Sequence, residues 1–290
     1  MEGQTMNGAP ASTAFVFAGG GSLGAVQVGM LRALTEAGVI ADLVVGASVG
    51  AINAAYYASG RDLACVGRLE EIWRGLRRRD VFPFTWRRLF SVLRGGEAVF
   101  DPTNLRHLVT RNVPFERLED APIPVHMVAT NLRGETVLLS SGPVVEAFLA
   151  SSAIPAAFPL VRIGNELLMD GAVANNTPVL TAALLGARRI VVLPTGFACA
   201  LPDRPYGAVA RAMHALTLVI AQQMVRDLRE VSRTAEVLTV PTLCPLAVSP
   251  FDFSHTSELI DRAVNTTRKW IAGGGLTRPG IPHQLVPHKH

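Results

Sequence analysis

The chain has 290 residues, 49% of them hydrophobic but only 6% aromatic, and a formal net charge of +4. That length fits one large domain or two small ones, and the charge excludes little. Three cysteines, Cys65, Cys199 and Cys244, are too few and too widely spaced for a disulfide framework or a zinc motif, so a reducing compartment is expected.

Residues 1–12 (MEGQTMNGAPAS) are small and polar, lack a basic start, and read as a flexible tail with no secretory signal. Ala14–Ala18 (AFVFA) is a short buried strand that runs into GGGSLG at Gly19–Gly24. Ala25–Ala37 follows as a helix, with Val28, Leu31 and Leu34 near helical spacing and Gly38 as its stop. DLVVGAS is the second strand, and the helix after it ends near Ser59. The apolar run Leu43–Ala58 is too short for a membrane span and is broken by Gly46, Ser48, Gly50 and Asn53. Strand, loop, helix, strand, turn, helix opens a parallel α/β sheet.

Residues 61–112 read as mostly helical, with a basic, aromatic-rich middle. Ile123–Leu132 and Glu135–Ser140 are strands of a hairpin around Arg133-Gly134. PVVEAFLASSA is a helix stopped by Pro155, and NELLMDGAV is a strand ending at Asp170-Gly171. Thr177–Gly186 is a helix and RRIVVLPT a strand. Tyr206–Arg233 is a long helix with Met213, Leu216, Ile220, Met224 and Leu228 on one core-facing stripe. AEVLTVP is a late strand and Glu258–Ile271 the last helix. One domain over residues 13–273 accommodates these elements, with 61–112 as a cap segment inside it and 274–290 as a C-terminal tail.

A reactive serine needs an exposed hydroxyl, a base, and donors for the oxyanion. Gly46-Ala47-Ser48-Val49-Gly50 lies between a strand and a helix, where flanking glycines permit a strained elbow that holds Ser48 clear of the backbone. Taken alone, the same glycines equally suit close packing of helix on strand. GGGSLG also joins a strand to a helix, and its glycines free several backbone N–H groups near a helix N-terminus. Gly19, Gly21 and Gly24 also fit a dinucleotide loop. That reading requires an acidic residue at the end of the second strand, about twenty residues on. VVGASVG stands there instead, and Asp42 precedes the strand. None of His107, His126, His214, His255, His283, His288 and His290 stands in a context that marks a base. Asp170 lies just past an apolar strand and before Gly171, where α/β sheets display chemistry, although taken alone it reads equally as an ordinary turn former.

Together these residues resemble the patatin-like phospholipase family. GGGSLG is similar to its oxyanion loop, GASVG to its nucleophile motif, DGA at 170–172 to its aspartate motif, and ASSAIPAAFP (Ala150–Pro159) to a fourth block. The resemblance spans Phe15 to Val192. It implies an α/β fold of three layers, α/β/α, around a mostly parallel sheet. It further implies a serine lipid acyl hydrolase, acting on a lipid or another carboxylic ester without metal or cofactor. The resemblance casts Ser48 as nucleophile, Asp170 as its base, and Gly19, Gly20, Gly21, Ser22 and Gly24 as the oxyanion loop. Gly46 and Gly50 flank the elbow, and Gly171 and Ala172 form the aspartate turn. The family's loop commonly carries Arg or Lys where this chain has Leu23, which favours neutral over anionic esters.

An α/β-hydrolase triad is the rival arrangement, but Ser48 comes too early and no late histidine supports it. An acyltransferase using the same acyl-enzyme, or a silent lipid-binding protein, are the alternative functions. Between Arg61 and Gly96 nine arginines stand against four acids. With Phe82, Phe84, Trp86, Arg87, Arg88 and Phe90 they suit peripheral contact with an anionic membrane. The alternative is a cap whose aromatics pack on the core. A cytoplasmic location is expected, and no nucleic-acid partner.

Overall fold

The computed structural model describes residues 12–83, 98–196, 208–282 and 285. In chain order the elements are β1 (Thr13–Phe17), α1 (Gly24–Glu36), β2 (Leu43–Ala47), α2 (Val49–Ala58), α3 (Leu63–Gly75), α4 (Arg78–Val81) and α5 (Thr103–Asn112). Then come β3 (Val125–Asn131), β4 (Thr136–Leu139), α6 (Val144–Ser151), β5 (Val161–Ile163), β6 (Glu166–Asp170), α7 (Ala172–Asn175) and α8 (Val179–Leu184). β7 (Arg189–Leu193), α9 (Ala208–Val231), β8 (Glu236–Thr239) and α10 (Thr256–Ala272) complete the described fold.

The strands form one sheet in the order β5-β6-β3-β2-β1-β7-β8, with β4 also paired to β3. β3, β2, β1, β7 and β8 run parallel, while β4 and β6 pair antiparallel to β3 and β5 pairs antiparallel to β6. Alternation along β1 shows how the layers arise. Phe15 and Phe17 point into a core shared with Leu31, Tyr57 and Leu259, so α1, α2 and α10 cover that face. Ala14 and Val16 point into the opposite core, shared with Val179, Met224 and Leu228 of α8 and α9. Both faces are covered, which is why these strands read as continuous apolar runs.

The hairpin turns at Gly134, as expected, with φ 81°. Of the long-helix stripe, Met224 and Leu228 are buried and Ile220 partly so, while Met213 and Leu216 lie outside the described side chains. Three features differ from the sequence reading. β5 is an additional strand of only three residues, too short for a periodic signal. β6 pairs antiparallel, a direction that composition does not encode. The segment expected to be a C-terminal tail packs on the domain: Gly280 bridges to Leu238 of β8, and Leu285 is fully buried.

The turn from β2 into α2 requires close backbone approach. A Cβ on Gly50 would overlap the Phe17 carbonyl oxygen and lie 2.6 Å from that of Ala18. Nothing lies within 4 Å of a Cβ built on Gly67 in α3. Gly50→Ala is therefore expected to lower stability by about 2–4 kcal/mol. Gly67→Ala is expected to raise it by about 0.5–1 kcal/mol through helix propensity. Urea unfolding of the two variants checks both signs.

Candidate active site

β3 sets the position of both halves of the site. Ala47, the last residue of β2, pairs with Val128, and Asp170, the last of β6, pairs with Ala129. The residue after Ala47 is Ser48, and its Oγ donates a hydrogen bond of 2.8 Å to Asp170 Oδ2. Ser48 holds φ 51° and ψ −126°, a conformation that non-glycine residues rarely adopt. Such strain persists only where surrounding contacts enforce it. Here the Ser48 N–H donates to Ser151 Oγ at 2.9 Å, and that hydroxyl donates to Val128 O at 2.7 Å. α2 starts at the next residue, so Ser48 sits at the positive end of a helix.

Asp170 is buried, with 3% of its surface exposed. Its Oδ1 accepts the Ala172 N–H at 2.7 Å, and its carbonyl accepts Thr130 Oγ1 at 2.8 Å. Gly171 turns the chain there and donates its N–H to Ser151 O. Burial disfavours the charged carboxylate and lifts its pKa from 3.8 to about 6, against the opposing hydrogen bonds from Ala172 and Ser48.

The glycine loop is divided by its hydrogen bonds. Gly19 N–H donates to Asn176 O, Ser22 N–H to Pro250 O, and Gly24 N–H to the carbonyls of Gly21 and Ser22. Those three amides, expected among the donors, are thus committed to holding the loop. The amides of Gly20 and Gly21 have no partner among the described residues. The loop also touches the nucleophile elbow: a Cβ on Gly19 would lie 3.1 Å from that of Ser48. Gly21 and Ser48 both line an apolar pocket of about 690 Å³, open mouth included. Ile52, Leu69, Trp73, Leu105 and Phe148 form much of its wall.

Leu23 is 1% exposed and packs in the core beside the start of α1. One expectation is corrected. Phe82 is not an exposed membrane contact; it is buried among Phe100, Phe158, Phe251 and Phe253. Phe84, Trp86, Arg87, Arg88 and Phe90 lie outside the described residues, as do His283, His288 and His290, and His214 lies outside the described side chains. Among the described residues Ser48 Oγ bonds to Asp170 and to no histidine; His126 pairs with Ser140 and His255 with Glu258. Among them, too, no group of His, Cys, Asp or Glu is arranged to hold a metal ion, and no helix is long and apolar enough to cross a membrane.

Sequence reasoning missed a buried polar frame. Gln27 Nε2 donates to the carbonyls of Ala18 and Leu193, at the ends of β1 and β7. Asn53 Nδ2 donates to Gly24 O and Gln27 Oε1, and Trp73 Nε1 donates to Asn53 Oδ1. Thr195 Oγ1 secures Gly19 O. The polar Asn53 inside the apolar AINAA run was the available signal.

The model of the patatin-like phospholipase family matches residues 15–183. The chain belongs to that family. It is 31% identical over 169 residues to an uncharacterized NTE family protein of Mycobacterium tuberculosis, covering 58% of this chain and 27% of that protein. It is 29% identical over 188 residues to a putative patatin-like phospholipase domain-containing protein of Caenorhabditis elegans, covering 62% of this chain and 16% of that one. The chain therefore spans about a quarter or less of these relatives' own length. Among solved structures, VipD from Legionella pneumophila superposes with a TM-score of 0.48 at 18% identity, over 93% of this chain and 67% of that one.

The raised pKa of Asp170 makes a stability prediction. Below pH about 4 the carboxyl is protonated in both folded and unfolded chains. Between about 4 and 6 the unfolded chain ionises freely and the folded one resists, so stability falls as pH rises. Above that window the buried charge is unfavourable by roughly 3 kcal/mol, at 1.36 kcal/mol per unit. Asp170→Asn is expected to be more stable than the parent at pH 8, with the difference closing toward pH 4. Urea unfolding at the two pH values measures it.

Proposed function

We propose that the protein is a serine acyl hydrolase that cleaves carboxylic esters of lipids through a Ser48–Asp170 dyad. The observation that carries this reading is the 2.8 Å hydrogen bond from a strained Ser48 to a buried Asp170. Ser48 Oγ attacks the ester carbonyl carbon as its proton passes to Asp170 Oδ2. A carboxylate near pKa 6 is a better match to a hydroxyl proton than an ordinary aspartate, and at neutral pH it is still largely ionised. The oxyanion is held by the amides of Gly20 and Gly21 beside the α2 N-terminus, where donors typically contribute about 3–4 kcal/mol each. Collapse expels the alcohol, which takes the proton back from Asp170, and leaves an acyl-enzyme. Water then attacks the acyl carbon and gives its proton to Asp170, and as the acid leaves Ser48 Oγ takes that proton back from Asp170.

The apolar pocket beside Ser48 supports an acyl chain as the bound group. The glycine loop carries Leu23 where the family's loop commonly has Arg or Lys, and this supports neutral glycerides, lysolipids or simple esters as substrates.

Ser48→Ala and Asp170→Asn are each expected to lower kcat/KM for a p-nitrophenyl ester by about 10³-fold or more. Because the two act as one unit, the double variant should fall less than about tenfold below either single variant. Multiplicative losses would contradict a dyad, and so would an equal loss on substituting His107, His126 or His255.

A further inference from the structure

The glycine loop is anchored from a distant part of the chain. Ser22 N–H donates to Pro250 O at 2.8 Å, and Ser22 Oγ donates to Ser249 O at 3.0 Å. Gly21 has φ 57° and lies so close to Pro250 O that a Cβ would overlap it. Gly21, one of the two glycines whose amides have no partner among the described residues, is thus held against Pro250, and Ser22 beside it is held by Ser249 and Pro250. Both lie outside residues 15–183, the part matched by the family.

The next residues of the same segment reach the pocket wall. Phe251 and Phe253 pack on Phe82 with ring centroids 5.5 and 6.3 Å apart. Phe82 also stacks on Phe158 at 5.6 Å. Phe82, Phe158 and Phe253 line the same pocket as Ser48, whereas Phe251 is not part of that lining. A single five-residue stretch therefore holds the loop with its first two residues and the aromatic wall with its third and fifth.

We propose that residues 249–253 are a positioning element: they fix the oxyanion loop and couple it to the acyl pocket, so that a chain long enough to pack on Phe82 raises kcat. This rests on the acyl-hydrolase reading above. Glycine-rich backbone has wide conformational freedom, so its amides are productive only when held. Contact between a remote acyl chain and the aromatic wall supplies binding energy that tightens the loop when the oxyanion forms. Ser22 then acts through the backbone it positions and is not itself an oxyanion donor.

The test compares p-nitrophenyl acetate with p-nitrophenyl laurate in the parent and in Phe251→Leu, Ser22→Ala and Ser22→Thr. The parent is expected to show a higher kcat on laurate. Phe251→Leu should lower the laurate kcat about tenfold, with laurate KM and acetate kcat within about twofold of the parent. Ser22→Ala should lower kcat about tenfold on both esters, and Ser22→Thr, which keeps the hydroxyl, should restore it. The proposal is overturned if Phe251→Leu raises only KM, or lowers kcat equally on both esters. It is also overturned if Ser22→Ala leaves kcat within about twofold. Should Phe251→Leu fail to fold, the Ser22 pair still decides whether the segment positions the loop. Full turnover by Ser48→Ala would instead remove the hydrolase reading itself, a result separable from all of these.

Discussion

Val128 and Ala129 of β3 accept pairing from two strands that arrive from different parts of the chain and opposite directions. β2 ends against Val128 and β6 ends against Ala129, so the first residue beyond β2 meets the last residue of β6. Everything else at the site adjusts to that meeting. Ser151 links the Ser48 amide to the Val128 carbonyl, and its own carbonyl takes the Gly171 amide. A slip of one residue in either register would send one of the two side chains to the other face of the sheet.

This arrangement stores unfavourable energy at the centre of a well-packed domain. Ser48 is held in a strained backbone conformation, and Asp170 is ionised at neutral pH only against its burial. A fold selected for stability alone would relax both. They persist because the surrounding frame over-determines them: Gln27, Asn53 and Trp73 tie three helices to the ends of β1 and β7 with fully buried hydrogen bonds. Stability lost at the chemistry is recovered in the packing around it.

The parts of this design that were legible in the sequence are those whose chemistry demands special residue types in a row. The glycines around Ser48, the GGGSLG run and the Asp-Gly pair each mark a local conformation, and β1 and β2 announce themselves as apolar runs. What stayed hidden depends on partners far apart in the chain. Ser249 and Pro250 look like ordinary loop residues until Ser22 is found bonded to them. Ser151 and Thr130 are indistinguishable from other small polar residues in sequence. The inward turn of Leu23 and the burial of Phe82 depend on helix and loop directions that no short pattern reports. The family resemblance implied the roles, but singling out Gly20 and Gly21 as the loop amides without a partner among the described residues required the hydrogen bonds.

The central claim is that a buried aspartate, with pKa about 6, activates Ser48 without a histidine. The most direct measurement is the pH dependence of the rate at which a fluorophosphonate labels Ser48, followed by mass spectrometry in the parent and in Asp170→Asn. The account predicts a parent rate that rises through a single inflection near pH 6 to a plateau, and a slow rate in Asp170→Asn with no such inflection. An inflection that survives Asp170→Asn, or a label carried by a residue other than Ser48, would contradict it.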